Sequence, residues 1–142
     1  MISLVSALGL TPMVVTEIVD ELGKRGVKVD RIVVLTTKDP RVDLSYYALA
    51  LDVSWSYDGV ELIRVELPFE DINSQNDHDT FVDIAKDAMR RELEEGRRVI
   101  VSVAGGRKTM GVGLYKAGVE LGIEEFYHVI AEPTSSDSSR IL

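Results

Sequence analysis

Ten residues at positions 102–111, SVAGGRKTMG, combine the residue types that could bind a phosphate group. Gly105 and Gly106 follow a run of apolar β-branched residues, and Arg107, Lys108 and Thr109 come directly after them. Glycines allow a ligand to approach the backbone closely, and the free N–H groups at a helix N-terminus attract anions. The stretch therefore predicts a phosphate-binding loop between a strand and a helix.

This loop differs from the nucleoside-triphosphate loop that it most resembles in composition. The G-x-x-x-x-G-K-[ST] pattern requires a glycine directly before the lysine, where this chain has Arg107, and another where it has Ser102. The G-x-G-x-x-G pattern of dinucleotide-binding domains does not follow the first predicted strand either. The expected ligand is therefore phosphorylated, but bound by a different kind of site.

A second glycine loop follows the first predicted strand. Leu8, Gly9, Leu10 and Thr11 separate that strand from a helix that starts at Pro12. Thr11 is a suitable N-cap residue, and proline is favoured at the first helical position. Thr11 therefore has a structural interpretation as the cap of this helix.

Composition restricts the possible ligands. The chain has 142 residues, 45% of them hydrophobic and 28% charged, and a formal net charge of −8. Such acidity disfavours long nucleic acid, because phosphate neutralisation supplies most non-specific affinity. No apolar run is long enough to cross a membrane, and without cysteine there is no thiolate metal site. We expect a cytoplasmic protein with no metal and no cofactor, which binds its anion locally.

The hydrophobic pattern predicts alternating strands and helices. We expect strands at 2–8, 31–36, 60–67, 98–103 and 126–131, with helices from about 12, 41, 79 and 107. The short, continuously apolar strands indicate a doubly wound, Rossmann-like α/β fold. Its mainly parallel sheet would have five to six strands, with helices on both faces. Residues 1–132 would form this domain, and 133–142 a polar, mobile C-terminal tail.

The expected strand order, 3-2-1-4-5, brings the two glycine loops together. Strands 1 and 4 are then neighbours, and ligands bind at the carboxyl ends of the strands where the winding direction reverses. The loops after these two strands would therefore form one site. The predicted ligand-binding residues are Leu8, Gly9, Leu10, Thr11, Gly105, Gly106, Arg107, Lys108 and Thr109.

Polar residues outside these loops receive structural interpretations. Asp77 or Asp79 would cap the third helix, because neighbouring carboxylates with His78 seldom converge on one metal ion. The glutamates at 92, 94 and 95 would form a solvated helix end, and His128 would be structural. Asn73 and Gln75 could cover a ligand. Trp55 and Tyr57 could stack on a base, although a core or dimer role fits them better.

Three segments in register carry a resemblance to a known family. LGLTPMVVTEIVDEL (8–22), PFEDINSQND (68–77) and VSVAGGRKTMG (101–111) resemble the CRISPR-associated Rossmann fold (CARF) family. The resemblance covers residues 1–132 and is specific because all three segments keep the same order and spacing. It implies a two-fold homodimer that binds cyclic oligoadenylate, most simply cyclic tetra-adenylate, in a basin built from the paired loops.

The resemblance also implies an activity. A CARF chain of this size without an attached effector is similar to the ring nucleases, which switch off type III CRISPR signalling. A ribose 2′-OH would attack its own 3′-phosphate without a metal and leave linear products with a 2′,3′-cyclic phosphate. Lys108 would stabilise the scissile phosphate, and Thr11 would orient the ribose or the phosphate. Lys108 and Thr11 are thus the expected catalytic residues.

Two other interpretations remain open from the sequence. The domain could be a sensor that binds the cyclic oligoadenylate without cleaving it and regulates an effector. Without the resemblance, the pattern predicts only a nucleotide-binding Rossmann-like domain.

Overall fold

A computed structural model describes residues 1–130 and 138–141 of the chain. Along the chain it contains β1 (Ile2–Ala7), α1 (Met13–Lys24), β2 (Arg31–Thr36), α2 (Pro40–Ser56) and β3 (Glu61–Glu66). These are followed by α3 (Gln75–Glu94), β4 (Arg98–Ser102), α4 (Lys108–Glu120), β5 (Phe126–Ile130) and β6 (Ser138–Ile141). The predicted alternation of strands and helices is confirmed.

The strands of the described residues form one sheet in the order β3-β2-β1-β4-β5-β6. The first five are parallel, and β6 pairs antiparallel with β5 at the edge. The order of the parallel strands is the predicted 3-2-1-4-5. β1 and β4 are therefore neighbours, and the winding direction reverses between them, as the doubly wound fold requires.

Each face of the sheet is covered by two helices. α1 and α2 pack on one face around residues such as Leu4, Ile18 and Ile32, and α3 and α4 pack on the other around Val5 and Phe81. Because both faces are covered, consecutive strand residues are buried, as Ser3 to Ala7 in β1 illustrate. The continuous apolar runs of the sequence have this origin.

Two helix starts differ from the prediction. Pro12 already has helical dihedral angles (φ −64°, ψ −25°), and the Thr11 carbonyl accepts from the Val14 N–H at 3.3 Å. The Thr11 hydroxyl makes no hydrogen bond within the described residues, so the expected side-chain cap is wrong. At α3 the cap is Ser74, whose hydroxyl accepts from the Asp77 N–H at 3.0 Å. The helix therefore begins earlier than predicted, and Asp77 lies in its first turn.

The predicted polar tail contains a strand. Residues 138–141 pair with β5, because an antiparallel neighbour can satisfy backbone groups that would otherwise form an open sheet edge. The remaining tail positions, 133–137 and 142, lie outside the described residues, as does position 131 of the predicted last strand. The division into a domain at 1–132 and a tail stays a prediction.

The end of α3 is not solvated in the way that the sequence predicted. Glu92 is only 4% exposed and accepts hydrogen bonds from Ser3 Oγ at 2.6 Å and Arg31 Nη1 at 3.1 Å. Arg97, 6% exposed, donates to Ser3 Oγ at 2.6 Å and also pairs with Asp30. The prediction was wrong for Glu92 because its partners come from distant positions in the sequence.

The contacts in this cluster keep Arg31 and Asp30 in their charged forms. The hydrogen bond to Glu92 raises the pKa of Arg31 above its usual value, and the contacts with Glu61 and Glu95 add to this effect. Burial alone would raise the pKa of Asp30, but hydrogen bonds from the Ile2 N–H and from Arg97, with the charge of Arg97, lower it overall. The cluster closes the amino-terminal edge of the sheet, opposite the two glycine loops.

Candidate functional site

The two predicted glycine loops lie side by side at the carboxyl edge of the sheet. A Cβ atom added to Gly9 would lie 3.0 Å from the Cα of Gly106. A Cβ atom added to Gly105 would lie 2.1 Å from the carbonyl oxygen of Ala7, at the end of β1. The loops therefore touch through their backbones, and a side chain at any of these glycines would separate them.

Gly106 has a further reason to be glycine. Its φ of 72° lies in the left-handed region, which other L-residues adopt at a steric cost. This conformation turns the chain from β4 into α4, which starts two residues later. The sequence RKT therefore stands at the beginning of a helix, where unpaired N–H groups favour an anion.

The cations of this loop have different surroundings. Arg107 forms an ion pair with Asp71, with Nη2 and Oδ2 3.0 Å apart, and its side chain is 64% exposed. Lys108, the first residue of α4, is exposed, and within the described residues it forms no ion pair or side-chain hydrogen bond. Lys108 is thus the cation that is available to a ligand without breaking an existing contact.

Thr11 is available in the same sense. It is exposed between β1 and α1, and its hydroxyl is not used for capping. The hydroxyl of Ser6, near the end of β1, is by contrast fully buried and donates to the Ala7 carbonyl at 2.8 Å. It is therefore not available to a ligand.

A cavity of about 480 Å³ opens beside the two loops. Its volume falls within the range typical of small-molecule sites. Five of the predicted site residues line it: Leu8, Gly9, Leu10, Gly106 and Arg107. Thr11, Gly105, Lys108 and Thr109 do not line it: Gly105 is buried, and the other three lie exposed beside it.

The opposite wall of the cavity was missed by the sequence analysis. It consists of residues that follow β2 and β3: Thr37, Asp39, Arg41, Val42, Glu70 and Asp71. Met110 of α4 also lines the cavity, beside Gly106. The predicted strand order could have indicated these residues. β2 lies next to β1, so the TTKDPR segment after β2 must reach the same edge of the sheet.

Asp39 and Arg41 form an ion pair in this wall. The Arg41 Nη2 donates to Asp39 Oδ2 at 2.7 Å, and the Arg41 backbone N–H donates to Asp39 Oδ1 at 2.9 Å. These hydrogen bonds lower the pKa of Asp39, with the nearby charges of Arg41 and Arg107 adding to the effect, and Asp39 in turn raises the pKa of Arg41. Asp39 is therefore a charged hydrogen-bond acceptor at neutral pH.

The weaker candidates lie away from the cavity. The side chain of Gln75 donates to Asp79 at 2.9 Å, and Trp55 is 81% exposed on α2, which excludes a core role. The Tyr57 hydroxyl donates to Asp20 at 2.7 Å; burial, aided by that carboxylate, raises the pKa of Tyr57 to about 12. In the part of the chain that the structure describes, no three side chains form a metal-binding group, and no helix could span a membrane.

Comparison with known proteins extends the geometric description. The sequence model of the CRISPR-associated protein NE0113 family matches residues 11–141. The chain belongs to this family. The resemblance to CARF proteins is thereby confirmed at the level of the family.

One relative of this CRISPR-associated chain is a curated protein named CRISPR system ring nuclease SSO2081, from Saccharolobus solfataricus. The two are 27% identical over 136 residues, which cover 93% of this chain and 73% of the relative.

Solved structures share the fold of this CRISPR-associated chain. Protein VC1899 from Vibrio cholerae matches 99% of it with a TM-score of 0.74 and 13% identity. Enterococcus italicus Csm6, bound to cyclic hexa-2′-fluoro-hexa-dAMP, matches 96% with a TM-score of 0.69 and 15% identity. Can2 from Sulfobacillus thermosulfidooxidans, in complex with cyclic tetra-adenylate, matches 90% with a TM-score of 0.56 and 15% identity.

The chain spans 33%, 35% and 32% of these three solved chains. At this level of identity the likeness shows the fold alone, and it supports the Rossmann-like architecture described above.

Proposed function

We propose that this protein binds a cyclic oligoadenylate, with cyclic tetra-adenylate as the best candidate, and cleaves it to linear products. The observation that carries the proposal is the contact between two glycine loops, each leading into a helix N-terminus, with Lys108 beside them and unpaired among the described residues. The name of the relative, a CRISPR system ring nuclease, supports the activity. The cyclic ligands bound to Csm6 and Can2 support the substrate class.

The proposed reaction is an in-line displacement within one nucleotide. The ribose 2′-oxygen forms a bond to the adjacent phosphorus, and the bond from phosphorus to the 5′-oxygen of the next nucleotide breaks. The 2′-hydroxyl proton passes to solvent, and the leaving 5′-oxygen takes up a proton from solvent. The products are a 2′,3′-cyclic phosphate and a 5′-hydroxyl, so the reaction consumes no water.

Lys108 and Thr11 have separate roles in this proposal. The ammonium group of Lys108, with the N–H groups at the start of α4, stabilises the additional negative charge on the phosphorane-like transition state. The Thr11 hydroxyl accepts a hydrogen bond from the ribose and holds the 2′-oxygen in line with the scissile bond. Neither residue acts as a nucleophile, and the step uses no metal.

Local charge makes the binding of an anion compatible with the acidic chain. The protein carries a net charge of −8, so a polyanion gains little from long-range attraction. The N–H groups at the start of α4 and the ammonium group of Lys108 act within a few ångströms instead. Release of Arg107 from Asp71 would add a second cation when the ligand binds.

The proposal includes a homodimer. A ring of four adenylates has two-fold symmetry, so two chains could each bind one half with the same loops. Leu10 and Met13, beside the Gly9 loop, are 54% and 60% exposed and offer apolar surface for a partner chain. In this arrangement, signalling in the cytoplasm by type III CRISPR systems would end when the dimer cleaves the ring.

The test is a product analysis with the purified protein. Labelled cyclic tetra-adenylate is incubated with an excess of protein in EDTA, and the products are separated by chromatography and identified by mass. We expect linear adenylates that end in a 2′,3′-cyclic phosphate. Tight binding without any product would instead identify a sensor domain, and the absence of binding would contradict the substrate class.

A further inference from the structure

The wall of the cavity opposite the glycine loops is built as a continuation of the β2–β3 pairing. The Leu67 N–H donates to the Thr36 carbonyl at 2.8 Å, and the Lys38 N–H donates to the Phe69 carbonyl at 2.8 Å. Thr37 and Glu70 are next to this second hydrogen bond, and both line the cavity. The two segments are therefore held together at the point where their side chains face a ligand.

The charge of the cavity disfavours a phosphate on this side. Its lining includes three carboxylates, from Asp39, Glu70 and Asp71, and the guanidinium groups of Arg41 and Arg107. Both guanidinium groups are already paired, Arg41 with Asp39 and Arg107 with Asp71. A neutral group that donates hydrogen bonds fits this lining better than an anion. In a nucleotide that group is the base.

Thr37 provides a hydrogen-bond donor that the protein leaves unused. The residue is 5% exposed, and its Oγ1 accepts a long hydrogen bond, 3.4 Å, from the Asp39 N–H. Among the described residues, nothing accepts the hydroxyl proton of Thr37. A buried hydroxyl that retains a free proton beside a cavity can satisfy it with an acceptor on a ligand, which is a stabilising contact.

Glu70 provides the complementary acceptor. In the described ranges its carboxylate takes part in no hydrogen bond and no ion pair. Asp39 and Asp71, by contrast, each hold an arginine and a backbone N–H. Glu70 is therefore the carboxylate of the cavity that can accept from a ligand without giving up a contact inside the protein.

Apolar side chains complete the pocket. Leu8, Val42 and Met110 line the cavity and are 1%, 5% and 3% exposed. Buried apolar groups can cover the faces of an aromatic ring, while polar groups at its edge determine the orientation. One donor, one acceptor and an apolar surface together match the edge and the faces of a purine.

We propose that Thr37 and Glu70 recognise the adenine base of the bound nucleotide and make the site selective for adenylate. The Thr37 hydroxyl donates to a ring nitrogen of adenine, and the Glu70 carboxylate accepts from the neighbouring 6-amino group. This assignment rests on the proposed function and adds to it the residues that determine base specificity. The phosphates remain at the glycine loops, and the base lies in the cavity beside them.

The pattern discriminates against 6-oxopurines. Hypoxanthine has an oxygen where adenine has its 6-amino group, and the neighbouring ring nitrogen N1 carries a proton. The Glu70 carboxylate would then face an oxygen, and the donor and acceptor at that edge would be exchanged. An unpaired polar group at a recognition site costs more than the loss of one hydrogen bond in water.

The test compares a ring of adenylates with a ring of inosinates, whose bases differ at the 6-position and in the proton on N1. Dissociation constants are measured with the wild-type protein and the variants Glu70→Gln and Thr37→Val. The ligands are the 2′-fluoro forms of cyclic tetra-adenylate and cyclic tetra-inosinate, because a ring without the attacking 2′-hydroxyl is not cleaved during the measurement. We expect the wild type to prefer the adenine ring by at least about tenfold. In Glu70→Gln the preference should fall to about threefold or less, because an amide can also donate to an oxygen.

The variants include an internal control. Glu94→Gln removes the same charge at an exposed position of α3 near the amino-terminal edge of the sheet, and it should keep the wild-type preference. Because the preference is a ratio within one protein sample, a partly unfolded fraction does not change it. Equal affinities of the wild type for both rings would overturn base recognition while leaving the proposed function intact. Failure to bind either ring would overturn both.

Discussion

At the scale of single residues, the contact between the two loops depends on glycines, which have no side chain. Gly105 leaves no room for a Cβ atom, because that atom would lie 2.1 Å from the Ala7 carbonyl oxygen and 2.8 Å from Ser6 Oγ. Backbone cannot yield to such an overlap as a flexible side chain can. The close contact between the loops after β1 and β4 therefore requires glycine here.

Gly105→Ala should consequently lower the free energy of unfolding by about 2 kcal/mol or more, because the added methyl group must push β1 and β4 apart. Binding of the cyclic oligoadenylate should weaken as well. Chemical denaturation followed by circular dichroism measures the first effect.

Gly23→Ala is the matched control for this substitution. Gly23 lies in α1, and no atom would come within 4 Å of its added Cβ. The substitution should stabilise the protein by roughly 0.5 kcal/mol, because alanine favours the helix more than glycine does. Equal stability of the Gly105→Ala variant and the wild type would show that the loops can separate at little cost.

The loops could be predicted from sequence because glycines after apolar runs carry a local signal. Lys108 and Thr11 were identified in this way, and both lie exposed at helix starts in the structure. Their catalytic roles stay a prediction. The pairing of Arg107 with Asp71 could not be predicted, because an ion pair between loops 36 positions apart has no local pattern.

At the scale of elements, the buried cluster around Glu92 joins the end of α3 to the starts of β1, β2 and β4. Glu92, Arg97 and Ser3 are each almost fully buried, and Arg31 reaches the cluster from β2. A buried ion pair is not a strong source of stability by itself, but removal of one partner leaves the other charge uncompensated. The cluster therefore fixes how these elements meet.

Glu92→Gln should lower the free energy of unfolding by about 3 kcal/mol, because Arg97 and Arg31 lose a buried counter-charge. Glu94→Gln, two residues further along α3 and exposed, should change it by less than about 0.5 kcal/mol. Urea denaturation of the two variants and the wild type provides the measurement. A loss below about 1 kcal/mol in Glu92→Gln would mean that the cluster is solvated, as the sequence alone suggested.

Helix and strand order followed from the hydrophobic pattern, whereas helix starts and edges did not. Ser74 begins α3 by capping it, although the polar NSQND sequence reads equally well as a loop. The strand at 138–141 lacks a continuous apolar run, and it forms where an edge of the sheet is available. Tertiary partners decide such cases, and they are not visible in a local window of sequence.

At the scale of the whole molecule, the amino-terminal and carboxyl edges of the sheet carry different groups. The amino-terminal edge is closed by the charged cluster around Glu92, and the carboxyl edge carries the glycine loops, Lys108 and the cavity. Because the strands are parallel, they all end at the same side of the sheet, and the loops that follow them lie there together. The strand order brings these loops together, which is why the sequence alone predicted that they would lie side by side.

In the proposed reaction, Lys108 accelerates the cleavage of a cyclic oligoadenylate bound at the glycine loops. The most direct measurement is the single-turnover rate of cleavage of cyclic tetra-adenylate in EDTA by the wild type, Lys108→Ala and Lys116→Ala. Lys116 is exposed further along α4 and serves as the matched control. We predict a loss of at least about a hundredfold in Lys108→Ala and a wild-type rate in Lys116→Ala. Equal rates for all three proteins would contradict the catalytic role of Lys108.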